Sequence, residues 1–282
     1  MKKIFKIGEF CFCLDYSDDI VIPKNFMLFE VEHGNIEFTF NLMISEYFPN
    51  IEGIIIAKRN DLIVLQTQFG ESRFIGIKGR EGYYACYNEI DDTHANVYID
   101  LNSIQKLNID PVFTSLFALE KHLLKKSQMI LHCAYVKYKD EAILFSAPSE
   151  TGKTTQANLW EEYLGSQTIN GDRALLGYEN NKWIAHGWPV CGTSGVCNNI
   201  NTPIKAIVML SQGKEDSVEQ ISPAKAFSLL YSQITINRWN NSNHIQIINL
   251  IEQLIQNVPI YHLSCTISKN AVMCLKNAIY DI

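Results

Sequence analysis

The chain has 282 residues and a formal net charge of −6, from 30 acidic and 24 basic side chains. This charge argues against a general nucleic-acid binder, and 47% hydrophobic with 19% charged residues predicts a packed core of one large or two modest domains. No apolar run reaches membrane-spanning length, and no signal-peptide pattern follows Met1. We therefore expect a cytoplasmic protein without a membrane or nucleic-acid partner.

The eight cysteines include no C-x-x-C pair. Without a secretion signal, reduced thiols in apolar strands are the favoured interpretation. Cys191 and Cys197 lie near His186 in the sequence, so a metal site is an alternative. Their spacing does not resemble the common zinc patterns, which argues against it.

Residues 1–110 predict a β-rich, antiparallel N-terminal domain. Short runs rich in Ile, Val, Tyr and Phe alternate with turn signals, and close spacing with short turns favours a meander. Asp91, Asp92 and His94 are more typical of an acidic hairpin turn than of a metal site. The predicted strands are 53–57, 62–68, 73–77, 83–87 and 95–100.

Residues 111–282 predict a second, α/β domain. Leucines at helical spacing indicate a helix over 112–126, and Ser222-Pro223 is a typical helix start. The remaining predicted helices are 154–164, 223–233, 244–256 and 268–280. The predicted strands are 129–138, 142–146, 167–169, 174–178, 183–185, 204–210 and 259–266.

The segment 147–155 reads APSETGKTT and stands between an apolar strand and a helix, the context that a phosphate-binding P-loop requires. Gly152 permits close backbone approach, Lys153 supplies an ammonium for the β- and γ-phosphates, and the Thr154 hydroxyl suits Mg²⁺. A chance Gly-Lys-Thr is the alternative, which the flanking elements disfavour. The candidate phosphate-binding residues are Ser149, Glu150, Thr151, Gly152, Lys153, Thr154 and Thr155.

Two positions of this loop are irregular. Ala147 stands where the motif begins with glycine, and Glu150 places a carboxylate inside the cradle. That carboxylate repels phosphate unless it points outward.

A phosphoryl-transfer site needs a carboxylate that holds Mg²⁺ or accepts a proton. Asp172, in the sequence TINGDR, follows the first predicted strand after the P-loop helix, and strand ends near the loop face the same crevice. The alternative is an ordinary turn aspartate. Arg173 is expected to pair with Asp172.

The segment 186–195 reads HGWPVCGTSG, which is not typical of a core strand. One interpretation is a shaped substrate loop that uses His186, Gly187, Trp188 and Gly192. A surface hairpin with a buried tryptophan is an equal alternative.

Two further side chains have open roles. His132 lies on the strand predicted to pair with the strand before the loop, where it reaches the phosphates or acceptor, or is a core histidine. Arg238 either clamps a phosphate or stacks on Trp239.

The order of His132, the loop 147–155, the Asn170–Arg173 segment and the Gly-Trp-Pro…Gly loop resembles the HPr kinase-like proteins. These bacterial serine kinases share a P-loop core with ATP-dependent phosphoenolpyruvate carboxykinase, and the resemblance covers residues 113–282. It implies that Lys153 and Thr154 bind phosphates and Mg²⁺, that Asp172 is the general base, and that His132 matches the family's upstream histidine.

The chain departs from this pattern at Gly171, where the family usually carries a first aspartate. The segment with which HPr kinases bind HPr is not evident, so the resemblance points to serine in a peptide or small protein, or to free serine. It leaves homo-oligomer formation open. Divergent members of the family occur beside peptide-biosynthesis genes.

The leading hypothesis is therefore a kinase that uses ATP or GTP with Mg²⁺ and phosphorylates a hydroxyl. One alternative is a non-catalytic nucleotide-sensing or scaffold module, which the residues at 147, 150 and 171 motivate. The other is a carboxykinase-type enzyme, for which the chain has few of the extra Arg, Lys and metal ligands required.

Overall fold

The computed structural model describes residues 1–280 and shows a mixed α/β protein with large sheets, as predicted. The chain divides into two compact units, Met1–His122 and Leu123–Ile282. The sequence-based boundary at 110/111 lies twelve residues before this division. No helix among residues 1–280 has the length and apolar character needed to span a membrane.

The first unit contains one nine-stranded sheet, in the order β3-β1-β2-β4-β9-β8-β7-β6-β5. Strands β5 to β9 form an antiparallel meander in chain order. The strands are β1 (Lys2–Ile7), β2 (Phe10–Tyr16), β3 (Glu30–Val31), β4 (Phe38–Ser45), β5 (Ile54–Arg59), β6 (Leu62–Gln66), β7 (Glu71–Gly76), β8 (Tyr83–Glu89) and β9 (His94–Asp100).

This sheet is not purely antiparallel, which corrects the sequence-based expectation. Strand β4 pairs in parallel with both β2 and β9. A parallel pair needs a crossover connection. Here the connection from β2 to β4 contains β3, and the connection from β4 to β9 contains strands β5 to β8. Local patterning does not report such long-range connections.

The single helix predicted over 112–126 is also wrong. The segment forms α2 (Asp110–Thr114), a 3₁₀ turn and α3 (Leu119–Lys125), because Ala118 adopts a left-handed conformation with φ 46°. The short helix α1 (Lys24–Met27) carries Phe26, whose ring contacts Phe113 and Phe117 at centroid distances of 4.9 and 5.4 Å. Residues 110–122 therefore belong to the first unit.

A buried ionic network ties α3 to the meander. The Arg73 guanidinium donates to Glu71 Oε2 at 2.7 Å and to Glu120 Oε1 at 2.5 Å. Lys121 Nζ donates to Glu89 Oε1 at 2.5 Å. Arg73, Glu71 and Glu89 are all nearly inaccessible. Such charges remain ionised in a core only when they are paired.

The second unit begins with a hairpin and the predicted strand–loop–helix segment. Its strands are β10 (Met129–Tyr138), β11 (Glu141–Ser146), β12 (Gln167–Asn170), β13 (Arg173–Glu179), β14 (Lys182–His186), β15 (Thr202–Gln212), β16 (Ser217–Gln220) and β17 (Ile260–Cys265). Its helices are α4 (Lys153–Leu164), α5 (Pro223–Gln233), α6 (Asn241–Asn257) and α7 (Lys269–Tyr280).

Strands β11, β15 and β17 are neighbours and parallel, so their carboxyl ends meet at one edge. Alternate residues of these strands enter two different apolar clusters, as expected for a sheet covered on both faces. One cluster contains residues of α4 and α7, including Phe145, Trp160, Val208, Leu263 and Leu275. The other contains residues of α5 and α6, including Leu144, Ile207, Leu230, Ile251 and Ile260.

All eight cysteines lie within the described residues and are free thiols. Five of them are buried. Cys191 and Cys197 form no cluster of three metal-binding side chains within residues 1–280, where no such group of His, Cys, Asp or Glu occurs.

Candidate active site

The loop 147–152 connects β11 to the first turn of α4. Gly152 immediately precedes the helix with φ 111°, a conformation that favours glycine. Glu150 is exposed and also left-handed, with φ 65°, so its carboxylate lies at the surface. The Thr151 hydroxyl donates to the Pro148 carbonyl at 2.9 Å and closes the loop. Ser149 and Thr154 are exposed, and Thr155 is half-buried.

Lys153 folds back onto this loop. Its Nζ donates to the carbonyl oxygens of Ala147 at 2.9 Å and Pro148 at 3.1 Å, and the residue is only 7% exposed. Burial lowers the pKa of the Lys153 ammonium, and the opposing charge of Asp172 offsets part of that shift. The Lys153 ammonium can exchange these two neutral carbonyl partners for a phosphate, because a hydrogen bond to a charged acceptor is stronger.

Strand β10 determines where Asp172 lies. Its first half pairs with β13 and its second half with β12, with His132 opposite Arg173 and Tyr135 opposite Asn170. The connection between β12 and β13 therefore runs alongside β10 at Cys133, whose N–H donates to the Asp172 carbonyl at 3.0 Å.

Cys133 also pairs with Ser146, the last residue of the strand before the loop. The loop and Asp172 consequently flank β10 on two sides of the same residue. This placement gives the physical reason for the electrostatic interaction between Lys153 and Asp172.

The Asp172 carboxylate has a basic partner at each oxygen. His132 Nε2 lies 3.6 Å from Oδ1, and Arg173 Nε donates to Oδ2 at 3.1 Å. Burial acts to raise the pKa of Asp172, but His132 and Arg173 outweigh it and hold the pKa below its ordinary value. The other ring nitrogen of His132, Nδ1, lies 3.2 Å from the Gln233 amide oxygen.

Asn170 organises the turn that carries Asp172, a role that sequence reasoning missed. Its Oδ1 accepts from the backbone N–H groups of Asp172 and Arg173, both at 2.9 Å. Its Nδ2 donates to the carbonyls of Trp188 at 2.8 Å and Val190 at 3.1 Å. The residue is fully buried. The asparagine two residues before Asp172 was the available signal, since Asn side chains cap such turns.

The segment 186–195, the proposed substrate loop, has one part that is buried and another part that lies beside Asp172. His186 is buried, and its Nε2 lies 2.9 Å from Oε1 of Glu179, the residue at the far end of β13 from Asp172. Trp188 is 4% exposed, and a side chain at Gly187 would meet the Asn198 backbone. Within the segment 186–188, the side chains of His186 and Trp188 are therefore both enclosed by the fold. Gly192, in contrast, lies against the Asp172 side chain with φ 58°.

Ser194 lies directly over Gly171. A Cβ on Gly171 would overlap the Ser194 hydroxymethyl group, which leaves no room for the aspartate that the resemblance places at this position. The Ser194 hydroxyl is held in place, because it donates to the Cys191 carbonyl at 2.7 Å and accepts from the Val196 N–H at 3.2 Å.

Arg238 makes no contact with the loop 147–152 among the described residues. It is exposed at a turn after α5 and forms no hydrogen bond or ion pair with residues 1–280. Arg173 is the guanidinium beside Asp172, and its Nη1 donates to Thr235 Oγ1 at 3.1 Å. For Mg²⁺, the chain offers the exposed Thr154 hydroxyl and the Asp172 carboxylate, a donor set that suits an ion otherwise bound by phosphates and water.

Fold and site together define a mixed α/β protein in which a strand–loop–helix unit with a buried lysine adjoins an ion-paired aspartate. Residues 98–277 match the model of the family described as SynChlorMet cassette protein ScmC, and the chain belongs to this family. Among solved structures, the HPr(Ser) kinase/phosphatase from Coxiella burnetii is similar, with 16% identity and a TM-score of 0.25. This match covers 45% of this chain and 88% of the other. No curated protein matches the chain.

Proposed function

We propose that this protein is a kinase that transfers the γ-phosphoryl group of ATP to a hydroxyl, with serine of a peptide or small protein as the acceptor class. GTP is the alternative donor. One observation carries the proposal: Ser146, which leads into the loop of Lys153, and Asp172 flank β10 at Cys133, and the charge of Asp172 acts on the Lys153 ammonium. The description of the family as a cassette protein is compatible with a biosynthetic context.

The first turn of α4 supplies the phosphate subsite. Its N–H groups and helix dipole favour an anion, and Gly152 leaves the approach open because nothing lies within 4 Å of a Cβ at that position. Lys153 Nζ leaves the Ala147 and Pro148 carbonyls and neutralises the β- and γ-phosphates. Thr154 and Asp172 would hold Mg²⁺, which would supply charge neutralisation of the phosphates.

Asp172 acts as the proton acceptor. As the acceptor oxygen bonds to the γ-phosphorus and the bond to the bridging oxygen of ADP breaks, the hydroxyl proton moves to an Asp172 carboxylate oxygen. Because His132 and Arg173 keep the pKa of Asp172 low, this group is ionised at neutral pH. A loose phosphoryl-transfer transition state makes modest demands on the base, so a weakly basic carboxylate is sufficient.

The experiment is ³²P transfer from Mg²⁺-ATP to free serine and serine-containing peptides, together with calorimetric ATP binding. We expect Asp172→Asn to lose transfer by about 10²-fold or more while it still binds ATP, and Lys153→Met to lose binding as well. Asp140→Asn is the matched control, because Asp140 is an exposed aspartate in the β10–β11 turn, paired with Lys137.

Two results would contradict the proposal. Unchanged transfer in Asp172→Asn would remove this residue as the base. ATP binding by the wild type without transfer to any acceptor, and equal binding by Asp172→Asn, would favour the nucleotide-sensing module instead.

A further inference from the structure

The carboxyl-terminal end of α5 contacts both basic partners of Asp172. Gln233, the last residue of α5, places its amide oxygen 3.2 Å from His132 Nδ1, and the Thr235 hydroxyl accepts from Arg173 Nη1 at 3.1 Å. Both contacts use nitrogen atoms that do not face the carboxylate, since His132 Nε2 and Arg173 Nε face Asp172. Each basic side chain is therefore held between Asp172 and one residue at the end of α5.

Residues 233–235 are anchored on β10 beside the site. Ile234 forms a β-bridge with Leu131, and the Thr235 N–H donates to the Ile130 carbonyl at 3.0 Å. Ile234 and Leu131 are both buried in the apolar cluster that α5 and α6 share with the sheet. The backbone of this segment therefore has a fixed position relative to the strand that carries the histidine.

A chain of hydrogen bonds fixes the direction of the Gln233 amide. The Ser232 hydroxyl donates its hydrogen to the Leu229 carbonyl at 2.7 Å. Its oxygen can then only accept, and Gln233 Nε2 donates to it at 3.0 Å. The amide oxygen consequently points to His132, and because an amide oxygen only accepts, the ring donates from Nδ1. Nε2 is thereby the ring nitrogen that is left to face Asp172.

The orientation of the Asp172 carboxylate depends on these contacts. His132 faces its Oδ1 and Arg173 faces its Oδ2, so the plane of the carboxylate follows from where both basic groups point. A proton acceptor has to be aimed at the reacting hydroxyl, and a misplacement of about 1 Å can cost roughly 10²-fold in rate. Hydrogen-bond partners that orient the neighbours of a reacting group therefore affect the rate without touching the substrate.

We propose that Gln233 and Thr235 are positioning residues for phosphoryl transfer. They hold His132 and Arg173 in the orientation that aims the Asp172 carboxylate at the acceptor hydroxyl. This inference rests on the proposed function, because it assigns the two residues to the reaction in which Asp172 accepts the proton.

The experiment measures kcat and KM for ³²P transfer from Mg²⁺-ATP to a serine-containing peptide, together with calorimetric ATP binding, in Gln233→Leu and Thr235→Val. We expect each variant to lower kcat by about tenfold or more, because the carboxylate loses its fixed direction. ATP affinity should change by less than about twofold, since neither substitution touches the Lys153 loop. Urea unfolding checks that both variants, which change half-buried side chains, are folded.

Two further variants separate positioning from packing. Thr235→Ser keeps the hydroxyl that accepts from Arg173 and should retain the kcat of the wild type. Gln246→Leu is the matched control for Gln233→Leu, because Gln246 is another half-buried helical glutamine of the second unit, whose Nε2 donates to the Leu124 carbonyl. It should also retain the kcat of the wild type.

An unchanged kcat in both Gln233→Leu and Thr235→Val, beside an active wild type, would overturn this inference and leave the proposed function standing. Equal losses of kcat in Gln233→Leu and Gln246→Leu, or in Thr235→Val and Thr235→Ser, would do the same. A loss of ATP affinity without a loss of kcat would also overturn it, since the residues would then serve nucleotide binding. If the wild type transferred phosphate to no acceptor, the proposed function itself would fail, and this inference with it.

Discussion

The hydroxymethyl group of Ser194 occupies the space that a side chain at position 171 would require. The chain therefore carries a single carboxylate in the turn between β12 and β13, where the HPr kinase-like pattern has two. The 3₁₀ turn Gly192–Ser194 covers that side of Asp172 instead. A glycine at position 171 and a serine at position 194 are two parts of one packing arrangement.

This arrangement predicts a coupling between the two positions. Gly171→Ala should destabilise the protein by roughly 1–3 kcal/mol, because the new methyl group overlaps Ser194. Ser194→Gly, which loses two hydrogen bonds, should suppress part of that loss in the double variant. Urea unfolding followed by tryptophan fluorescence measures each free energy, since all four tryptophans lie in the second unit. Strictly additive effects would contradict the coupling.

His132 should set the acid limit of activity. Replacing it with Gln removes a group that lowers the pKa of Asp172, so this pKa rises and the acid limb of the pH–rate profile moves to higher pH. His262→Gln is the control, because that histidine has similar exposure and lies near Glu219. An unmoved acid limb would show that Asp172 does not control it.

The same lowered pKa predicts a pH-dependent contribution to stability. Asp172 binds protons less readily when folded, so its stabilisation is present above its ordinary pKa of 3.8 and is lost as the pH falls through the lower folded value. The Asp172→Asn variant should therefore show less acid destabilisation than the wild type when urea unfolding is compared across that range. If the free energy of unfolding depended on pH identically in the wild type and in Asp172→Asn, the prediction would be wrong.

Asn170 should be required for the shape of the site. Asn170→Ala leaves the partly buried N–H groups of Asp172 and Arg173 without their acceptor and should cost about 2 kcal/mol. It also releases the carbonyl of Trp188, so the emission of the native protein should change. Asn257→Ala is the control, an exposed asparagine at the end of α6 that bonds within its own helix. Equal free energies of unfolding for Asn170→Ala and Asn257→Ala would show that Asn170 does not organise the turn that carries Asp172.

Arg73 should dominate the stability of the first unit. Arg73→Met deprives Glu71 and Glu120 of their buried guanidinium and should cost roughly 3–5 kcal/mol. Arg59→Met, which breaks an exposed pair with Asp61, should cost about 1 kcal/mol or less. Hydrogen exchange in β7 and β8 measures the local effect. Comparable protection in both variants would show that the network adds little.

Secondary structure was most predictable where the signal is local. The predicted strand 129–138 and helix 223–233 are confirmed as β10 and α5, because a continuous apolar run and a Ser-Pro start are sufficient signals. The helix over 112–126 failed because the chain turns at Ala118, with φ 46°, while Phe113 and Phe117 pack against Phe26, a residue far away in the sequence. Leucine spacing does not report such a contact.

For the candidate site, the sequence identified Lys153, Asp172 and His132 from residue type and order, but not the residues that position them. Asn170 and Ser194 are small polar residues whose importance lies entirely in their partners.

The sequence by itself determined the local units of this protein: the strand–loop–helix of residues 141–164, the alternation of strands and helices after it, and the chemical groups available. Backbone propensities and apolar periodicity act over a few residues, so they specify such units directly. The hairpin of β10 with β11 was also predicted from the sequence, but only the tertiary structure decided that the other edge of β10 pairs with β12 and β13, which brings Asp172 to the loop. Strand pairing joins residues that are distant in sequence, and its outcome depends on the packing of the whole unit.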